Sequence, residues 1–190
     1  MKAEEKIYKV FLELRESKPY YNQIKEHTKL SHSSLQNALE KLKRANIIVE
    51  EKTKSNTFCK IKDKKIFALK FSEIAIDKFK DLNRGVRIPL NNFLKNLPKE
   101  IYTIILFGSA SRKEERKESD IDILIVSDTH LNFDDNKKNA EAISNHHLSI
   151  FQCKLKDLID NTDHVIIQAR KTGFPIYKEQ NFYEVILDGY

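Results

Sequence analysis

An apolar run, Ile104-Ile-Leu-Phe107, breaks at Gly108-Ser109. Ten residues later a second apolar run opens on Asp120-Ile-Asp122 and continues to Val126. Two short β-branched runs around a Gly-containing break predict two strands, 101–107 and 121–126, rather than one helix. Residues i and i+2 of a strand point to one face, so Asp120 and Asp122 stand side by side while Ile121, Ile123 and Ile125 pack on the other face. Adjacent carboxylates repel unless a cation lies between them, and Mg²⁺ binds through one or two carboxylates together with substrate phosphates. Gly108 allows the backbone to approach a phosphate closely. Ser109 offers a hydroxyl and, where a helix starts at the turn, backbone N–H groups aimed at an anion. Arg112, one helical turn beyond Ser109, reaches the same phosphates.

Around this stretch the chain alternates strand and helix. A helix from about Asp134 to Asn145 leads to strand 148–153, and further helices follow near 154–160, 162–172 and 179–187. The segment from Thr172 to Tyr183 reads as a strand and helix that complete the core. Residues 112–118 are a charge run, read as a solvated loop.

The first half has another character. Ile7, Val10, Phe11 and Leu14 recur at helical spacing over residues 3–16, and Pro19 marks the end of that helix. Tyr21 to His27 forms a second short helix, and Thr28 to Ser31 a turn. Ser31 or Ser33 caps a third helix, which places Leu35, Ala38, Leu39 and Leu42 on one face and runs to about Ala45. Ile47 to Val49 and Thr57 to Ile61 read as strands joined by the polar loop Glu51–Asn56. Three short helices and a hairpin make a winged helix-turn-helix. Phe67 to Leu82 reads as a linker helix stopped by Asn83-Arg-Gly85, and Pro89 and Pro98 flank a further helix, Leu90 to Leu97. The expected domains are a winged helix-turn-helix over 1–66, a linker helix over 67–87 and a second domain over 88–190.

Charge divides the same way. Residues 1–100 carry 23 Lys and Arg against 13 Asp and Glu, and residues 101–190 carry 11 against 15. A basic half draws polyanions, nucleic acid first. In a winged helix the third helix enters the major groove. Ser33, Ser34, Gln36 and Asn37 are then placed to meet base edges and phosphates, with Lys41 at the far end of the helix and Lys52 and Lys54 in the wing loop for the backbone. Helix-turn-helix modules commonly pair on DNA, so a homodimer is the expected oligomer. No apolar run reaches the ~18 residues of a membrane span, and the first residues lack the apolar segment of a secretory signal. Cys59 and Cys153 stand apart, outside any CxxC. The expectation is a reduced, cytoplasmic protein with no membrane partner.

The stretch Phe107-Gly-Ser, Arg112, Ser119-Asp-Ile-Asp122 resembles the minimal nucleotidyltransferases of the DNA polymerase β-like superfamily, over residues 88–190. The resemblance implies an α+β chain: the winged helix-turn-helix joined by a helix to a small polymerase-β-like domain with a mixed sheet. It implies that Gly108, Ser109 and Arg112 hold a nucleoside triphosphate and that Asp120 and Asp122 are catalytic and bind Mg²⁺. The implied function is Mg²⁺-dependent transfer of a nucleoside monophosphate to an acceptor the sequence does not name. Two departures stand out. Lys113 occupies a position where the family often has Gly. The strand His147 to Cys153, where active members carry a third carboxylate, has no Asp or Glu; Ser149 or His147 takes that place. That departure points to the alternative, a DNA-binding regulator whose second domain is inactive or senses nucleotide.

Overall fold

A computed structural model describes residues 2–160 and 163–189, which fall into two compact units. The first unit comprises Met1–Ile74 and Tyr183–Tyr190, the second Ala75–Phe182.

The first unit begins with α1 (Ala3–Leu14), which turns Ile7, Tyr8, Val10 and Phe11 inward and ends on Arg15 in the left-handed region (φ 53°). α2 (Tyr21–Thr28) ends the same way on Lys29. In α3 (His32–Arg44) the Ser31 side chain accepts a hydrogen bond from the Ser34 N–H at 3.2 Å, and Leu35, Ala38, Leu39 and Leu42 form one buried stripe. β1 (Ile48–Lys52) and β2 (Thr57–Ile61) pair antiparallel, with Glu50 opposite Cys59. The turn between them is shorter than the sequence suggests. The Thr53 N–H donates to the Asn56 carbonyl, so the ladder runs on through Glu51 and Lys52, opposite Phe58 and Thr57. Lys52 therefore belongs to the end of a strand and only Lys54 to the loop. α4 (Lys64–Lys80) starts where the Asp63 carboxylate accepts from the Ile66 N–H. Its Phe67 is fully buried edge-to-face against Tyr8, Phe11 and Phe71, with ring centroids 4.9–5.6 Å apart. Tyr183 adds a further ring against Phe71.

The second unit holds α5 (Arg84–Phe93), which runs straight through Pro89. Proline inside a helix lacks a donor and crowds the carbonyl four residues back, which is why the sequence suggests a start after it. Here the burial of Val86, Pro89, Leu90 and Phe93 at helical spacing outweighs that cost. The strands that follow are β3 (Thr103–Phe107), β4 (Ile121–Val126) and β5 (Leu148–Cys153), joined by α6 (Gly108–Ser111) and α7 (Asp134–Glu141). After them come α8 (Leu155–Asp160), α9 (His164–Thr172), β6 (Phe174–Tyr177) and α10 (Glu179–Asp188). The sheet order is β5-β4-β3-β6. β3 is antiparallel to β4 and β6, whereas β4 and β5 are parallel across the α7 crossover, so the sheet is mixed. Every residue of β3 is buried. β6 is held by the Thr103 hydroxyl donating to the Tyr177 carbonyl, and Lys178 donates to the carbonyls of Lys99 and Ile101. The expected start of α9 at residue 162 lies outside the described residues. No described helix is long and apolar enough to cross a membrane.

Candidate nucleotide and metal site

Burial of β3 delivers the chain to Gly108 at the end of the central strand. Gly108 has φ +69°, a region that side chains rarely adopt. A Cβ at this position would also overlap the Asp122 carboxylate, so the turn and the aspartate occupy adjoining space only because residue 108 is glycine. α6 is a single turn, braced from inside. The Ser111 hydroxyl donates to the Gly108 carbonyl at 2.8 Å, and an Arg112 Nη donates to the same oxygen at 3.0 Å. Arg112 Nε donates to Glu114 at 2.7 Å. The guanidinium thus lies at the turn beside Ser109. The position after it, Lys113, has φ +60°. Glycine at that point relieves left-handed strain, which gives the family's preference a physical reason; here the lysine side chain is paired with Asp81.

β4 carries the acidic pair. Its register sets Asp122 opposite Phe107 on one side and Ser149 on the other. Ile121, Ile123 and Ile125 are fully buried, as the alternation requires. Asp120 precedes the strand and is exposed, whereas Asp122 is half-buried. Burial, and secondly the charge of Asp120, push the Asp122 carboxyl above the usual carboxylate range. The Ser149 hydroxyl donates to Asp120 Oδ2 at 2.9 Å.

This donor set fits a Mg²⁺ ion. Two hard oxygen donors, Asp120 and Asp122, stand close enough for the charge of the first to add to burial in raising the carboxyl of the second, and a cation between them relieves that repulsion. A bound Mg²⁺ would screen the charge of a nucleoside triphosphate and of the transition state for its α-phosphate transfer. Among the described residues no group of three or more His, Cys, Asp and Glu gathers around a possible metal position. Asp134 and Asp135 lie in the first turn of α7, and His147 Nδ1 lies 3.6 Å from a Glu141 carboxylate oxygen. Of the two residues that stand in for a third carboxylate in the sequence, Ser149 is the one directed at the aspartates. Only the pairing of β5 with β4 reveals this, although the strand alternation of Ser149 and Phe151 is visible in the sequence.

In the first unit, the residues singled out for nucleic acid lie around the exposed side of α3. Gln36, Asn37 and Lys52 line one cleft of about 610 Å³ between α3 and the hairpin, whose rim includes Asn56. The hydroxyls of Ser33 and Ser34 lie 3.3 and 2.9 Å from Ser31 Oγ, so both are tied to the helix cap. Lys41 forms an ion pair with Glu4 at 3.1 Å, and Lys43 pairs with Glu40 and with Glu50. Lys54 is exposed in the turn between β1 and β2.

No curated protein and no solved structure matches the chain. A family model does: the one described as polymerase beta, nucleotidyltransferase, over residues 89–182, which takes in α5's second half, the whole sheet, the Gly108 turn and both aspartates. That match supports the nucleotidyltransferase superfamily for this part of the chain.

Proposed function

We propose that the second domain is a Mg²⁺-dependent nucleotidyltransferase and that the first is a DNA-binding winged helix-turn-helix. Gly108, Ser109 and Arg112 hold the triphosphate of a nucleoside triphosphate, and Asp120 and Asp122 hold the metal. The acceptor hydroxyl forms a bond to the α-phosphorus, pyrophosphate leaves with the P–O bond electrons, and the acceptor's proton passes to solvent or a carboxylate. The observation that carries this reading is the interlock of Gly108 with Asp122: the left-handed Gly108 turn is built directly against the Asp122 carboxylate. Ser33, Ser34, Gln36, Asn37, Lys41, Lys52 and Lys54 form the nucleic-acid surface, and a homodimer on DNA accords with that module.

A second reading has its own support. Ser149 stands where an active site of this kind needs a further carboxylate, and its hydroxyl engages Asp120. On that reading the domain binds nucleotide and Mg²⁺ without rapid transfer and reports nucleotide to the DNA-binding half.

One experiment separates the two. The full chain is incubated with α-³²P-labelled ATP, GTP, CTP and UTP, Mg²⁺ and a cell extract as acceptor source, beside the Asp120→Asn/Asp122→Asn variant. Label transferred by the wild type and lost in the variant supports the enzyme. Nucleotide binding without transfer, together with an increase in transfer on Ser149→Asp, supports the sensor. Absence of any Mg²⁺-dependent nucleotide binding overturns both.

A further inference from the structure

The sheet face that presents Asp122 continues past it. Cross-strand partners share a face, and so do residues two apart along a strand. The row of Phe107, Asp122 and Ser149 is therefore followed on the same face by Ile105, Leu124 and Phe151, and then by Val126 and Cys153. Where that face leaves the acidic pair it opens into a cleft of about 340 Å³, lined by Leu124, Phe151 and Cys153 from the strands and by Val165 and Ile166 from α9. Such a volume lies at the small end of ligand pockets. Phe151 is 37% exposed, unusual for a phenylalanine in a sheet, and its ring is braced by the buried ring of Phe107 at 5.7 Å between centroids. A large apolar ring packed on a buried neighbour and left open to solvent beside a candidate nucleotide site is placed to be covered by a ligand.

Direction and charge limit what that ligand is. The Gly108 turn leaves the sheet at the Asp122 end of β3, whereas the cleft begins at Leu124, two residues further along β4. Two residues of strand span roughly 6.6 Å, about the reach of one ribose. With the β- and γ-phosphates at the turn and the α-phosphate at the aspartates, the nucleoside runs along the face onto Phe151. The cleft also carries Asp157 and Asp163 at its edge. Their charges, after burial, help to push the Cys153 thiol up to about 12. A negative rim of this kind repels a phosphate chain or a nucleic-acid backbone and admits a neutral heterocycle.

Resting on the nucleotide-binding reading above, we propose that Phe151 is the stacking platform for the nucleobase of the bound nucleoside triphosphate. Base–aromatic stacking tolerates any base, because every base has a π face. The platform therefore supplies affinity for the nucleoside without choosing among the four. Phe107 acts behind it as a positioning residue that keeps the ring from turning inward.

Equilibrium dialysis of the full chain with Mg²⁺ and either ATP or inorganic tripolyphosphate tests this. Phe151→Ala is expected to weaken ATP about tenfold or more and to leave tripolyphosphate unchanged, and Phe151→Tyr is expected to retain ATP affinity. Far-ultraviolet circular dichroism and the melting temperature verify that both variants fold. ATP affinity unchanged in a folded Phe151→Ala overturns the platform while leaving the nucleotide site standing. Equal losses for ATP and tripolyphosphate also overturn it, because they assign the effect to the turn. Failure of the wild type to bind either ligand instead removes the nucleotide-binding reading on which the platform rests.

Discussion

At residue 108 two constraints coincide: a left-handed backbone and the neighbouring Asp122 carboxylate. Alanine there would take on the left-handed cost of about 1–2 kcal/mol and would also push the aspartate aside. Gly108→Ala is expected to lower the urea midpoint by at least that equivalent and to abolish Mg²⁺-dependent nucleotide binding, both read on one preparation. Asp122 makes the opposite trade. Its raised carboxyl means that the folded chain holds a proton more tightly than the unfolded chain does. Between the unfolded carboxylate value and the higher folded one, stability therefore falls as pH rises, and above the folded value the full cost remains. Asp122→Asn removes that cost. It is expected to melt higher than wild type at pH 7 without Mg²⁺, with the gap closing as pH drops below the unfolded value near ~3.9. Melting curves at pH 7 and pH 3 check the sign, and a lower melting temperature for the variant at pH 7 refutes it.

At the scale of single elements, α3 rests on one local device. Ser31 caps the helix through the Ser34 N–H, and its hydroxyl also lies within hydrogen-bonding distance of Ser33 and Ser34. Ser31→Ala is expected to cost about 1 kcal/mol in chemical denaturation, as cap removal generally does. The cap is legible in the sequence because it is local, a serine just before a helical stripe of Leu35, Ala38, Leu39 and Leu42; the sequence leaves Ser31 and Ser33 both open, and the structure takes Ser31. β4 was legible for a similar reason, since Ile121, Ile123 and Ile125 alternate with the aspartates. α5 was not. Pro89 argues locally for a break, and only the burial of Val86, Leu90 and Phe93 around it overrides that argument. Lys52 reads as loop in the sequence and lies in β1 in the structure because the close of the hairpin depends on a cross-turn hydrogen bond from Thr53 to Asn56. Phe151 gained meaning only from register, which also decided for Ser149 over His147 as the residue facing the aspartates. The parallel pairing of β5 with β4 joins residues about 27 positions apart, and no local pattern encodes which strand lies beside which.

For the whole molecule the governing quantity is the uneven charge, net positive over residues 1–100 and net negative beyond. If the basic half binds DNA, counterion release makes the logarithm of the binding constant fall linearly with the logarithm of salt concentration. Individual lysines do not contribute equally to that slope. Lys41 is already matched to Glu4, whose carboxyl is held below its usual range by a backbone hydrogen bond first and by Lys41 second. Engaging a phosphate would strip Lys41 from that partner, so its net gain is small. Lys54 projects from the hairpin turn into solvent, where a phosphate contact displaces only counterions. Fluorescence anisotropy of a labelled duplex, titrated with the full chain across a potassium chloride series, reads both slopes. Lys54→Ala is expected to reduce the salt slope by about one, and Lys41→Ala by clearly less. A slope that both substitutions leave unchanged would move the contact away from the hairpin and α3. A wild type that shows no salt-dependent binding would remove DNA as the partner of the basic half, leaving that surface to a protein or to the chain's own copy.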